Sequence, residues 1–150
     1  MRFRAILSVL ALALAITLTA RAQAPAAPKM TVYKSPTCGC CAKWVAHMRN
    51  AGFDVTVNDV PNVGEIKAQH HVPADAQSCH TALVGGYVLE GHVPAEDVQR
   101  LLRQRPGIVG VGVPGMPIGS PGMEVAGVKP QKYDVLAFNK AGETHVFASH

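Results

Sequence analysis

Three of the four cysteines fall within four residues, in Thr37-Cys38-Gly39-Cys40-Cys41, and the fourth sits far along the chain in Ser78-Cys79-His80. Crowded thiols cannot all act as structural cross-links. A disulfide needs Cα atoms about 4.4–6.8 Å apart, whereas the neighbours Cys40 and Cys41 are only about 3.8 Å apart across a trans peptide. Cys38 and Cys41, one helical turn apart, could pair, and Cys79 could pair with any of the three. Either choice leaves a thiol in poor geometry. Such a set suits metal binding or thiol chemistry better than passive stapling, and thiolates are soft ligands that select Cu(I), Zn(II) or iron–sulfur clusters.

The elements that hold these residues can be read from periodicity. Thr31-Val32-Tyr33 is a β-branched and aromatic run closed by Ser35-Pro36 and predicts a strand. From Gly39 to Ala51, apolar residues recur at Cys41, Trp44, Val45 and Met48, the spacing of one helix face, and Gly52 supplies a stop. The face predicts Trp44 and Met48 as core. Cys40 and Cys41 therefore belong to the first turn of this helix, where unpaired N–H groups and the dipole favour thiolate over thiol.

Phe53, Val55 and Val57 alternate with polar residues as in a strand. Asn62 and Glu65 form a capping pattern for a short helix to about His70. Thr81–Val84, Gly85-Gly86 and Tyr87–Glu90 spell a hairpin. Pro94 opens a last helix whose early Glu96 and Asp97 and late Arg100 and Arg103 complement its dipole. The order β-α-β-α-β-β-α predicts a small α/β sandwich.

Beyond it, residues 106–130 hold seven glycines and five prolines among Val, Ile and Met. This is too apolar for a flexible linker and too rich in breakers for regular elements, so an ordered loop packed over the domain is expected. Tyr133–Phe138 and Thr144–Ala148 then predict an appended C-terminal hairpin.

The start of the chain sets the compartment. Arg2 and Arg4 precede an apolar run from Ala5 to Leu18, followed by overlapping A-x-A sites ending at Ala22 and Ala24. That is a signal peptide, residues 1–22, too short in its apolar part for a stable membrane anchor. Residues 23–29 read as an Ala/Pro linker and 30–150 as the domain. Export, to the periplasm in a bacterium, permits disulfides. The formal charge of +4 falls to +1 once Arg2, Arg4 and Arg21 leave with the signal. Nothing in that balance favours nucleic acid or an anionic membrane surface.

The segment from Val32 to Cys41 resembles the start of a thioredoxin-like or glutaredoxin-like domain. Together with Cys79-His80 and the stretch Gly115-Met116-Pro117-Ile118-Gly119-Ser120-Pro121-Gly122-Met123-Glu124, it resembles the CopG-like periplasmic copper-resistance proteins, over nearly all of the mature chain. The resemblance implies a thioredoxin-like fold that holds Cu(I) through Cys38, Cys40, Cys41 and Cys79, beside His80, in forms up to a multinuclear copper–thiolate cluster. In such a fold the residues just before the third strand face the start of the first helix. Thioredoxin-like redox enzymes carry a cis-proline there; this chain has Cys79-His80.

A zinc site usually draws on two separated ligand pairs, which three cysteines in four residues do not provide. Thiolates bridging several Cu(I) ions relieve that crowding. Met116 and Met123 are soft thioethers that either join the metal site or fill gaps under the loop. His70-His71, at a helix end, suit the dipole; His47, His92, His145 and His150 read as surface or packing residues.

Two functions follow. One is an exported copper-binding protein of copper resistance, with copper ions and other periplasmic copper-handling proteins as its partners. It is a metal-binding protein before it is an enzyme, although closure of Cys38–Cys41 could supply two electrons to copper. The other is a thiol–disulfide oxidoreductase with Cys38 as nucleophile and Cys41 as resolving thiol.

Overall fold

The structure is a computed structural model that describes residues 26–150. The signal peptide and the start of the linker lie outside the described residues. The expected β-branched run lies within strand β1 (Lys29–Lys34), which continues through Ser35–Thr37 into helix α1 (Gly39–Asn50). Strand β2 (Asp54–Asp59) returns parallel to β1, pairing Met30 with Val55 and Val32 with Val57. Helix α2 (Val63–Gln69) is capped as its sequence predicts: Asn62 Oδ1 accepts from the Gly64 N–H and Asn62 Nδ2 donates to Glu65.

A 3-10 turn (Ala74–Ala76) leads to the hairpin of β3 (Thr81–Val84) and β4 (Tyr87–Glu90), and Pro94 caps helix α3 (Ala95–Gln104). Strand β3 lies antiparallel against β1, so the sheet runs β2-β1-β3-β4 before continuing. Its two faces bury different sets of residues. Met30 and Val32 of β1, Ala82 and Val84 of β3 and Leu89 of β4 pack with Trp44, Val45 and Met48 of α1 and with Val98 and Leu101 of α3. On the other face Val88 packs with Val72, Ala76 and Phe138. Trp44 is fully buried and its Nε1 donates to the Val93 carbonyl at 2.9 Å.

The glycine- and proline-rich tail departs from the expectation of a loop without regular elements. Gly110–Gly112 form a short strand, β5, parallel to β4 and antiparallel to β6 (Asp134–Phe138), which pairs in turn with β7 (Thr144–Ser149). The breakers mislead because backbone approach selects them: a Cβ at Gly110 would run into the Val88 carbonyl and the Phe138 ring. The terminal hairpin is therefore no separate appendage. It extends one seven-stranded mixed sheet in the order β2-β1-β3-β4-β5-β6-β7, and Val135, Ala137 and Phe138 are fully buried. No helix among the described residues is long and apolar enough to cross a membrane.

Candidate metal centre

Cys38 is the N-cap of α1, with its Sγ accepting from the Cys41 N–H at 3.3 Å. Cys40 and Cys41 thus fill the first helical turn, as the periodicity predicts. The apolar stripe of α1 buries Cys41 completely and leaves Cys38 and Cys40 partly open. Cys38 and Cys41 form a disulfide with a Cα separation of 5.3 Å, while Cys40 and Cys79 are free thiols. Cys40 Sγ lies 3.5 Å from Cys38 Sγ.

Across the sheet, β3 pairs with β1 and carries the residues before Thr81 to the mouth of α1. Cys79 Sγ lies 3.6 Å from Cys41 Sγ. All four sulfur atoms fall within 4.8 Å of one another. A buried polar network supports this arm. Glu90, wholly buried at the end of β4, accepts from the Ser78 N–H and from Thr81 Oγ1, each at 2.7 Å, and pairs with buried Lys67 of α2. Burial raises the Glu90 carboxyl above its ordinary value, against the pull of Lys67 and the hydrogen bonds.

Two imidazoles complete the surroundings of Cys79. His80 is fully buried, its ring 4.4 Å from the Trp44 ring, with Nδ1 3.3 Å from Cys79 Sγ and no partner for Nε2. His92 is equally buried; its Nε2 lies 3.1 Å from Cys79 Sγ and its Nδ1 2.8 Å from the Pro121 carbonyl. Burial pushes His80 well below the ordinary histidine value, with His92 adding to it, and burial also lowers His92. Burial, joined by the charge of Cys40, pushes the Cys79 thiol up to about 11.

The loop expected to pack over the domain does so at this place. The Gly115 N–H donates to the Gln77 carbonyl at 3.2 Å, and Ser78 Oγ donates to the Gly115 carbonyl. At its other end Gly122, with φ +88°, lies so close to α1 that a Cβ would meet the Cys40 carbonyl at 2.8 Å and the Trp44 nitrogen at 2.9 Å. The loop thus grips both arms of the cysteine group. Met116, one residue beyond the first anchor, is 51 % exposed, and Met123, one beyond the second, is half-buried.

The structure brings together Cys38, Cys40, Cys41 and Cys79, groups His80 with Cys79 and His92, and carries Met116 and Met123 on the loop anchored at both arms. His92 corrects its sequence reading: it is a neighbour of Cys79, not a surface or merely packing residue. The signal lay in the hairpin register, because Thr81 pairs with Glu90 and two further steps place Cys79 opposite His92. The other histidines stay apart. His47 Nε2 accepts from the Ala95 N–H, His150 contacts Asp97, and His70 and His71 belong to neither group of side chains able to share a metal ion.

A family profile described as "Protein of unknown function, DUF411" matches residues 76–123, the stretch from the Cys79 arm through the loop. No curated protein matches the chain significantly. Among solved structures, "Copper resistance protein copG" in its form 2 is 39 % identical with a TM-score of 0.78, covering 83 % of this chain and 98 % of its own. Form 1 gives 39 % and 0.76, covering 81 % of this chain and 96 % of its own. With that identity sustained along almost the whole of the relative, the chain belongs to the CopG family of copper resistance proteins.

Proposed function

We propose that this protein is exported to the periplasm and holds Cu(I) through Cys38, Cys40, Cys41 and Cys79 as part of copper resistance. The convergence of four sulfur atoms within 4.8 Å at one helix start carries this reading, together with the name of the relatives. Thiolates are the soft donors that Cu(I) prefers, and four so close can bridge several ions. The strand order β2-β1-β3-β4, with α1 between the parallel pair, supports reading the first half as a thioredoxin-like fold. His80 borders the thiolates, and Met116 and Met123 add thioether ligands from the loop. Copper is the cargo, and other periplasmic copper-handling proteins give and receive it.

The disulfide defines the switch. With Cys38 and Cys41 joined, two of the four sulfurs cannot act as thiolates, so Cu(I) loading requires reduction. Anaerobic Cu(I) titration of the reduced protein against a competing chelator should retain several equivalents, with X-ray absorption counting sulfur neighbours. The disulfide-bonded protein should retain fewer. Cys79→Ser should lower the stoichiometry of the reduced form; unchanged stoichiometry would remove Cys79 from the site. The same disulfide favours a second reading, thiol–disulfide exchange through Cys38 and Cys41. It predicts a metal-free protein that reduces insulin disulfides. Cys79 and His80, in place of a proline before β3, count against it.

A further inference from the structure

Each half of the disulfide has a free thiol beside it. Cys79 Sγ lies 3.6 Å from Cys41 Sγ, and Cys40 Sγ lies 3.5 Å from Cys38 Sγ. We propose that the Cys38–Cys41 disulfide exchanges within the molecule for a Cys41–Cys79 disulfide, releasing Cys38, so that the oxidised protein interconverts between two cross-linked forms. The inference concerns the metal-free protein and rests on neither reading of its function given above.

Thiol–disulfide exchange needs a thiolate beside a disulfide sulfur and a leaving sulfur able to carry the charge. Cys41 is fully buried, so its attacker is the sulfur next to it in the fold and not a thiol from solution. Attack of Cys79 Sγ on Cys41 Sγ forms one S–S bond and breaks another, with no net oxidation or reduction. The Cys79 proton passes to solvent by way of His92 Nε2, which faces it at 3.1 Å, and the electron pair of the broken bond leaves on Cys38.

Cys38 is the best-placed leaving sulfur of the set. It is the N-cap of α1, accepts from the Cys41 N–H at 3.3 Å and is partly open to water, the setting that stabilises a thiolate. Attack of Cys40 on Cys38 would expel Cys41 instead. That charge would be buried, where a thiolate is disfavoured.

The two forms hold the fold differently. Cys38–Cys41 closes within one turn of α1, three residues apart. Cys41–Cys79 spans 38 residues and ties α1 to the segment before β3. The longer loop constrains the unfolded chain more strongly. It also leaves Cys38 and Cys40 together as free, partly open thiols.

Cys40→Ser, which leaves one disulfide and one free thiol, tests the exchange in the oxidised, metal-free full chain. Native protein is treated with N-ethylmaleimide, acidified and digested with trypsin without reduction. Cuts after Lys34, Lys43, Lys67 and Arg100 place Cys38 and Cys41 in residues 35–43 and Cys79 in residues 68–100. The two peptides should appear linked at Cys41, with the label on Cys38, and should accumulate as labelling traps the exchanged form. Peptides that stay unlinked with the label confined to Cys79, or a link made through Cys38, would overturn the proposal. Should Cys40→Ser fail to fold, the same digest of the unsubstituted protein decides, with Cys40 labelled in either form. Failure of Cu(I) loading in the reduced protein would sink the thiolate reading alone.

Discussion

Cys79 stands where the two groups of ligand-capable side chains meet, and under the proposed function its protonation controls how metal enters. With the thiol pushed up to about 11, a proton occupies Sγ at neutral pH and an incoming ion must displace it. Each unit of falling pH should therefore weaken binding by about tenfold for this ligand alone. Metal titrations in weakly and strongly absorbing buffers, which count released protons, should show about one fewer proton for Cys79→Ser; equal counts would show that Cys79 stays protonated. The same shift affects folding. Because the folded thiol holds its proton more tightly than the ordinary 9.0, that contribution to stability is complete below pH 9 and is lost as pH rises toward 11. His80 acts on the opposite limb. Its lowered value leaves stability intact above the ordinary 6.5 and drains it as pH falls. Denaturant midpoints of metal-free protein should thus decline on both sides of neutrality.

The elements were legible wherever a period ran long enough. The stripe Cys41, Trp44, Val45, Met48 placed α1 and its buried face; Gly85-Gly86 placed the β3–β4 hairpin; Asn62 and Glu65 placed the cap of α2. Three features escaped for physical reasons. Strand β5 is chosen by the approach of its glycines to Val88 and Phe138, a contact between distant segments that leaves no local pattern. His92 is defined by register carried past the last paired residue, and a single histidine shows no period at all. The Glu90–Lys67 pair escaped too, since it joins β4 to α2 across the buried face. Glu90→Gln tests its role: it leaves the Lys67 ammonium buried without a counter-charge, which should cost about 3–5 kcal/mol. Chemical denaturation of the metal-free protein measures the loss, and a change below about 1 kcal/mol would mean water reaches Lys67.

In the molecule as a whole, the sheet makes its terminal hairpin indispensable. Deleting residues 133–150 would strip Val135, Ala137 and Phe138 from the core and expose one edge of β5. Burying a large aliphatic or aromatic side chain contributes about 1.5–3 kcal/mol, and typical domains are stable by only about 5–15 kcal/mol. The truncated chain should lack a cooperative thermal transition by circular dichroism; a transition close to that of the full chain would show that the first four strands fold alone. Their order and the helix between the parallel pair were readable from the alternation of periods, whereas continuation of the sheet through β5 was not.

The loop from Gly115 to Gly122, fastened to Ser78 at one end and to the Cys40 turn at the other, also sets an order of assembly. Pieces of the centre come from the beginning, middle and late part of the chain, and the late piece clasps the other two. A newly made chain cannot present the finished centre until nearly all of it has been produced and has collapsed. Any ion that needs the finished centre is thereby denied to a half-made chain.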